Sequence, residues 1–214
     1  MRLPAIFALT LVTACGAPPN SITPPAVETG EHTDLAALLK RPHAYALGPL
    51  EGSGGELLVW DGVPFVGRVE DGSIRVGVDR AATVSWLVGS HVKEWRQVAV
   101  PNEIRTLDEF ERWLPAAGLA RHLDPARPFA FLLLGACESA TLQVSDAPTG
   151  TSTLGHCAIQ VLGFFSPEGA GGKGDWLPSG HRAHLHLRTL LGGTLGHLET
   201  FVLSPGASLA VPWR

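Results

Sequence analysis

Short apolar segments separated by turn residues make up most of the chain beyond position 56, and this pattern is typical of a β-rich protein. Two of these segments, 57–60 and 63–66, flank Asp61-Gly62, a dipeptide that favours a tight two-residue turn. The pattern therefore predicts a β-hairpin over 56–66. Further strands are predicted at 73–78, 82–88, 129–134, 158–165, 184–190 and 198–203.

Two segments carry the signals of short helices. The first helix is predicted over 34–39, where leucines recur at helical spacing. The second is predicted over 106–114, because Thr106 and Glu109 form a capping box at its start and Pro115 is expected to end it. Residues 32–214 are therefore predicted to form a single folded domain.

The N-terminal residues have the composition of an export signal rather than of a folded element. Arg2 precedes an apolar segment at 3–12, which is too short to span a bilayer as a helix. Cys15 follows directly after two small residues, in the arrangement of a bacterial lipobox. We therefore expect residues 1–14 to be a signal peptide and Cys15 to carry the lipid. The alternative is an ordinary secretory signal followed by a cysteine that is not acylated.

The segment 15–31 contains four prolines and no aromatic residue, a composition that favours an extended tether. A lipid on Cys15 and this tether predict an exported bacterial lipoprotein, anchored to a membrane in the cell envelope by its lipid alone. Export would bring Cys137 and Cys157 into an oxidising compartment, where they could pair as a disulfide. Both also lie in apolar segments, so two buried free thiols are the equal alternative.

Composition narrows the classes of function. The chain has 214 residues, of which 45% are hydrophobic and 17% charged, so a sizeable core is expected and extensive disorder is excluded. The formal net charge is −4, and acidic and basic residues are interspersed along the chain. Nucleic acid is therefore not expected as a partner, because no basic cluster is present to contact phosphates.

Histidines supply the most informative pattern. His184 and His186 are two residues apart on a predicted strand, so their side chains point to the same face. His197 follows eleven residues later, after a glycine-rich turn that would return the next strand beside the first. Three imidazoles with one open position are the ligand set of a catalytic zinc site. The alternative is a chance spacing on solvated strands, in a chain with nine histidines.

From about residue 34 to 202, the sequence resembles the acetolactate decarboxylase family. The spacing of His184, His186 and His197 matches the family's histidine motifs. The segments 55–62 and 163–168 are similar to its early Asp-Gly-Glu strand and to its Gly-Phe-aromatic-Ser/Thr-Pro-Glu segment. The resemblance implies an α+β, β-rich fold, with mixed or antiparallel sheets and a few short helices at their edges. It also implies a dimer, Zn²⁺ on the three histidines, and Glu56 as an active-site glutamate.

Members of that family convert 2-acetolactate to acetoin with loss of CO₂. Removal of CO₂ from this 2-hydroxy-3-oxo acid leaves an enediolate, whose negative charge needs an electron sink. Zn²⁺ supplies that sink as a Lewis acid, so no organic cofactor is required. A positioned acid must then deliver a proton to one face of the enediolate.

The chain departs from the family at two places. The family has an arginine on its central strand, whereas Gln143 lies nearest the matching position here, and a neutral amide cannot form a bidentate, charge-assisted clamp on a carboxylate. The family also places a C-terminal glutamate in the site, and no acidic residue follows Glu199.

Three residues are candidates to replace the missing groups. Arg188 and Arg182 alternate with the strand histidines and could contact an anion, or could lie at the solvated margin of the strand. Glu199, two residues past His197, could act as a ligand or proton donor.

Two functions follow from these residues. The first is zinc-dependent decarboxylation of a 2-hydroxy-3-oxo acid, with Glu56, Arg188 and Glu199 as the catalytic candidates. The second is a metal-containing binding lipoprotein that retains the scaffold without the reaction. Another zinc-dependent lyase or hydrolase on the same scaffold is a further alternative. In each case the partner is a small-molecule anion, and a homodimer is possible.

Overall fold

Two antiparallel sheets, packed face to face, build the protein. The computed structural model describes residues 23–31, 35–52, 54–144, 150–167, 176–191 and 193–213, and the predicted signal peptide and Cys15 lie outside them. The helices are α1 (Leu35–Leu39) and α2 (Leu107–Leu119). The strands are β1 (Glu28–Glu31), β2 (Ala44–Pro49), β3 (Gly55–Trp60), β4 (Val63–Glu70), β5 (Ser73–Val78), β6 (Trp86–His91), β7 (Trp95–Ala99), β8 (Phe129–Gln143), β9 (Thr151–Leu154), β10 (Cys157–Phe165), β11 (Ala183–Thr189), β12 (Leu195–Leu203) and β13 (Ser208–Pro212).

The first sheet has six strands in the order β1-β6-β2-β3-β4-β5. Strands β3 and β4 of this sheet form the predicted hairpin, whose last rung pairs Trp60 with Val63. Asp61 and Gly62 have φ angles of 48° and 77°, as the two central residues of a type I′ turn require. The prediction of this hairpin is confirmed, whereas the strand predicted at 82–88 is displaced to β6.

The second sheet has the order β10-β11-β12-β8-β13-β7, with β9 on the edge of β8. Strand β8 also pairs with β10, so β10, β11, β12 and β8 close into a small ring of strands. The strand predicted at 129–134 therefore extends to Gln143, because its second half pairs with β12 and β9. All pairings in the described residues are antiparallel, which confirms the β-rich fold with few short helices.

Helix α2 covers the core on one side of this ring. The capping box of Thr106 and Glu109 is present at its start, as predicted. The prediction that Pro115 ends the helix is wrong, since α2 continues to Leu119. Ala117 is buried in the same core as Phe129, and this packing offsets the backbone hydrogen bond that a proline inside a helix removes. In the part of the chain that the structure describes, no helix is long and apolar enough to cross a membrane.

A second apolar core lies between the two sheets and joins them. It includes Leu47 and Leu58 from the first sheet, and Leu162 and Leu195 from the second. The sheets approach closely where β4 crosses β12. The space there admits only a glycine at position 67, since a Cβ atom added at Gly67 would lie 2.5 Å from the carbonyl oxygen of Leu195. This contact is two residues before His197 and brings the first sheet against the histidine strands.

Candidate metal centre

Two neighbouring strands bring the three predicted histidines together. His184 and His186 lie on β11, and His197 lies on β12 directly opposite His186 in the strand register. The ring of His184 is 5.1 Å from that of His186 and 4.5 Å from that of His197, measured between centroids. The three histidine side chains therefore converge on one face in the structure, as the sequence predicts.

The ring nitrogens have spacings that suit a single metal ion. The Nε2 atoms of His184 and His186 are 3.2 Å apart, and Nδ1 of His197 is 2.9 Å from Nε2 of His184. A tetrahedral ion with Zn–N bonds of about 2.0–2.1 Å would hold its ligand nitrogens about 3.3 Å from one another. One ligand atom from each histidine lies within 4.8 Å of the other two. A divalent cation therefore fits with small adjustments of the rings.

Backbone carbonyls determine which nitrogen of each strand histidine faces the centre. Nδ1 of His186 donates a hydrogen bond of 2.7 Å to the carbonyl oxygen of Leu57, and Nδ1 of His184 donates to that of Trp176. A carbonyl oxygen only accepts, so the proton of each neutral ring lies on Nδ1. Both Nε2 atoms are then left with lone pairs that point at each other. Hydrogen bonds from the outer ring nitrogen to a carbonyl oxygen orient histidine ligands in metal sites generally.

Burial keeps these rings neutral. His184 and His186 are buried between the sheets, while His197 is partly buried. Burial, and then repulsion from His197, lowers the pKa of His184 to about 3. Burial also lowers the pKa of His186 well below its ordinary value, and that of His197 to about 4. A neutral imidazole is the form that coordinates a metal ion, so these low pKa values leave all three rings able to bind a cation near neutral pH.

Glu56 adds a carboxylate to the same point. It lies near the start of β3, and its Oε2 is 3.3 Å from Nε2 of His186. Its side chain is only 12% exposed. The first sheet thus contributes both this carboxylate and, one residue later, the Leu57 carbonyl that orients His186. The adjacency follows from the strand itself, because Glu56 and Leu57 are consecutive in β3.

A pocket of about 390 Å³ opens beside the histidines, within the usual size range of small-ligand sites. Its walls combine apolar and polar side chains, and the indole ring of Trp86 packs edge-on against His184 at 5.1 Å. The polar groups in its lining are Glu56, Gln143 and the imidazoles of His184 and His197. The remaining lining residues are Pro49, Trp176, Leu177 and Pro178. Among the residues described there is no Arg or Lys in this lining.

The two arginine candidates lie outside the pocket lining. Arg188 donates from Nε to Oε1 of Gln160 at 2.7 Å, and its guanidinium stacks 3.9 Å from the ring centre of Phe65. Arg182 lies just before β11, where it donates to the carbonyl oxygen of Pro167 at 3.2 Å. Each guanidinium is thus engaged with protein groups, and an anion-binding role for either residue stays a prediction.

Glu199 is also separated from the main pocket. The pairing of β12 with β8 is irregular between Leu198 and Thr200, and this bulge leaves Glu199 exposed. Its side chain lines a second, smaller pocket of about 240 Å³, which shares His197 with the first. A strict two-residue alternation from His197 cannot predict this position, because the bulge interrupts the alternation.

Glu111 is a site-shaping residue that the sequence analysis missed. It is buried on α2 and accepts hydrogen bonds from the backbone N–H of Ala183 at 3.2 Å and of Arg182 at 3.4 Å. Nδ1 of His181 lies 3.3 Å from the same carboxylate. Glu111 therefore holds the chain where it enters the histidine strand. The available signal was a charged residue on the apolar stripe of α2, between Leu107 and Leu114.

Three solved structures share this fold. A Staphylococcus aureus protein of unknown function similar to alpha-acetolactate decarboxylase is 14% identical, with a TM-score of 0.63 over 85% of this chain and 77% of its own. The alpha-acetolactate decarboxylase of Bacillus subtilis strain 168 is 14% identical, with a TM-score of 0.62 over 86% and 79%. The acetolactate decarboxylase of Bacillus subtilis subspecies spizizenii is 15% identical, with a TM-score of 0.64 over 88% and 86%. At these identities the likeness establishes a common scaffold.

Comparison at the level of sequence gives no match. No protein-family model matches the chain, and no curated protein sequence matches it. The side chains of the site itself, placed on an acetolactate-decarboxylase-like scaffold, are therefore what indicates a function.

We expect the stability of the metal-free protein to fall as the pH decreases from about 7 to about 4.5. The unfolded chain protonates its histidines near pH 6.5, whereas burial holds the pKa of folded His184 at about 3. The folded state thus binds fewer protons than the unfolded chain in this window. The stabilising contribution of the neutral His184 ring is therefore complete above about pH 6.5 and decreases as the pH falls toward the folded pKa. His184 alone should account for about 2–3 kcal/mol.

Urea unfolding of the metal-free protein at both pH values measures this loss. The matched variant is His184→Gln, which removes the titrating ring and should show a smaller decrease between the two pH values. An equal decrease in the variant and the wild type would contradict the assignment of this pH dependence to His184.

Proposed function

We propose that this protein is a metal-dependent carboxy-lyase that converts a 2-hydroxy-3-oxo acid of the acetolactate type to the corresponding hydroxyketone. Zinc is the proposed metal, since three imidazole ligands with an open position suit it. The observation that carries the proposal is the close approach of the Nε2 atoms of His184 and His186, beside His197 and Glu56. The fold shared with acetolactate decarboxylases supports it at the level of the scaffold.

The reaction needs an electron sink and a proton. A divalent cation on the three histidines would act as a Lewis acid toward the substrate's ketone and hydroxyl oxygens. When the bond to the carboxylate breaks, CO₂ leaves and the electron pair passes to the ketone oxygen. A proton must then reach the carbon that lost CO₂. In our proposal Glu56 relays this proton, because its carboxyl lies beside His186 at the pocket wall.

The pocket residues would orient the substrate and exclude water. Trp86 and Trp176 supply flat apolar walls on the side of His184. Exclusion of water strengthens each electrostatic interaction of the reacting groups. Gln143 lies directly across the β8–β12 ladder from His197 and also lines the pocket, so its amide can donate a hydrogen bond to a substrate oxygen.

A second candidate function is favoured by Gln143 itself. The family that the sequence resembles has an arginine near this position, and a neutral amide forms weaker bonds to a carboxylate than a guanidinium does. We propose as the alternative a lipoprotein that binds a small oxygen-rich ligand at the metal without decarboxylating it. Both candidates place the domain after the predicted tether, whose last residues, 28–31, belong to the first sheet as β1, and anchor it to a membrane of the cell envelope through a lipid on Cys15.

Turnover of racemic acetolactate by the zinc-loaded protein tests the first function. We expect acetoin enriched in one enantiomer, because a fixed donor delivers its proton to one face, whereas spontaneous decarboxylation in solution gives a racemate. The control is the same protein with the metal removed. Acetoin formation no faster than in this control would contradict the proposed lyase. Metal-dependent binding of acetoin without turnover would favour the second candidate.

A further inference from the structure

A pair of cysteines outside the metal centre lies in disulfide-forming positions. Cys137 on β8 and Cys157 on β10 are directly opposite in an antiparallel ladder, and their sulfur atoms are 3.5 Å apart. Directly opposed residues in antiparallel strands have Cα atoms about 4.5–5.5 Å apart, within the range of about 4.4–6.8 Å that disulfides span. Both thiols are free in this structure, and a small rotation of the side chains would bring the sulfurs into bonding distance.

The pair occupies a structurally important rung. Cys157 is the first residue of β10, and its pairing with Cys137 is the terminal rung of the β8–β10 ladder that closes the ring of strands. Cys137 also pairs with Leu203 of β12, at a second irregularity in the β8–β12 ladder. A covalent bond there would link the two strands that flank β11 and β12, on which the three histidines lie.

The two thiols have different access to solvent. Cys137 is completely buried, and burial raises the pKa of its thiol to about 11, with Cys157 adding to the increase. Cys157 is partly exposed at the strand end, after an exposed His156. An oxidant can therefore reach Cys157 first, and the buried sulfur of Cys137 lies 3.5 Å from the sulfur of Cys157. This asymmetry is the usual arrangement of an attacking and a resolving thiol.

We propose that Cys137 and Cys157 form an intramolecular disulfide by exchange with a disulfide oxidant, either a small-molecule disulfide or a dithiol oxidoreductase in its oxidised form. The Cys157 thiolate attacks one sulfur of the oxidant and expels the other as a thiolate. The Cys137 thiolate then attacks the Cys157 sulfur and releases the second thiolate of the oxidant. Two protein thiols lose two electrons and two protons, and one oxidant disulfide is reduced to two thiols.

The consequence is a more rigid scaffold for the histidine strands. The bond would close the loop 137–157, which contains β9 and its connection to β8. Closing a loop of this length restricts the unfolded chain and should raise Tm by roughly 5–12 °C. The proposal is independent of the proposed lyase activity, because it depends on the strand pairing alone. Export, predicted from the N-terminal sequence, would supply the oxidising compartment.

Incubation of the full chain, carrying Cys15→Ser, with glutathione disulfide tests this inference. Cleavage after Glu138 separates the two cysteines, so a disulfide keeps the two peptides joined until a reductant is added. We expect joined peptides and the higher Tm for this protein, and neither effect for Cys157→Ser or Cys137→Ala. Two free thiols after incubation, or glutathione attached to Cys157 without joined peptides, would overturn the proposal. A Tm increase that the two single-cysteine variants share would also overturn it.

Discussion

Replacement of His186 by Gln is expected to weaken zinc binding by more than about 100-fold. His186 is completely buried between the sheets, and its Nε2 lies 3.2 Å from Nε2 of His184 and 3.3 Å from Oε2 of Glu56. Glutamine cannot place an imidazole nitrogen at that point, so only two of the three nitrogen ligands remain. Isothermal titration of the metal-free protein with Zn²⁺ measures the change, with wild type expected to bind one ion per chain.

The matched control for this variant is His156→Gln. His156 is exposed beside Cys157 and belongs to no group of facing ligands in the described residues. Its replacement should leave the affinity for zinc within about twofold of wild type, since it contributes no ligand atom. Equal loss of affinity in both variants, or no loss in His186→Gln, would contradict the proposed ligand set.

Glu56→Gln is expected to reduce turnover by about 10²–10⁴-fold while zinc affinity changes much less. An amide has nearly the shape of the carboxylate, but it cannot take up and release the proton that the reaction requires. The substitution removes none of the three imidazoles, nor the carbonyl groups of Leu57 and Trp176 that orient His186 and His184. Glu56→Gln should therefore lower the kcat for acetolactate while the dissociation constant for Zn²⁺ changes much less.

Glu70→Gln is the control for this second experiment, because Glu70 is an exposed residue at the far end of β4. It should retain both turnover and metal affinity. A Glu56→Gln protein with wild-type kcat would rule out proton relay by Glu56. A variant that loses zinc in proportion to activity would instead identify Glu56 as a metal ligand.

The convergence of the histidines could be predicted from the sequence because it depends on local rules. Side chains two residues apart share a face of any regular strand, which places His184 beside His186. The glycine-rich turn before Leu195 predicts a return strand, and the register then sets His197 opposite His186. The hairpin at Asp61-Gly62 is equally local, since its turn type depends on two residues with positive φ.

The features that sequence reasoning missed or placed wrongly depend on long-range packing. The extension of β8 to Gln143 follows from pairing with strands that come later in the chain. The bulge that exposes Glu199 arises from the same pairing and has no signal in the residues near it. Helix α2 passes Pro115 because the following turn is buried against the core, and burial outweighs the local effect of proline.

The other side chains at the site also divide into those that the sequence indicates and those that only the packing reveals. The resemblance of the segment 55–62 to a strand of the acetolactate decarboxylase family points to Glu56, and in the structure its Oε2 lies 3.3 Å from Nε2 of His186. Glu111 is distant in sequence from the histidines that it helps to position, so only the packing of α2 against the start of β11 reveals its contacts. Gln143 was expected near the position of the family's arginine, and it does line the pocket.

X-ray absorption at the zinc edge of the zinc-loaded protein identifies the atoms that bind the metal. We predict three imidazole nitrogens at about 2.0–2.1 Å from the metal, with any remaining ligand an oxygen. Loss of one imidazole from this spectrum should follow His197→Gln. A shell containing sulfur at about 2.3 Å, or a shell of oxygens without imidazole scattering, would contradict the assignment of the metal to His184, His186 and His197.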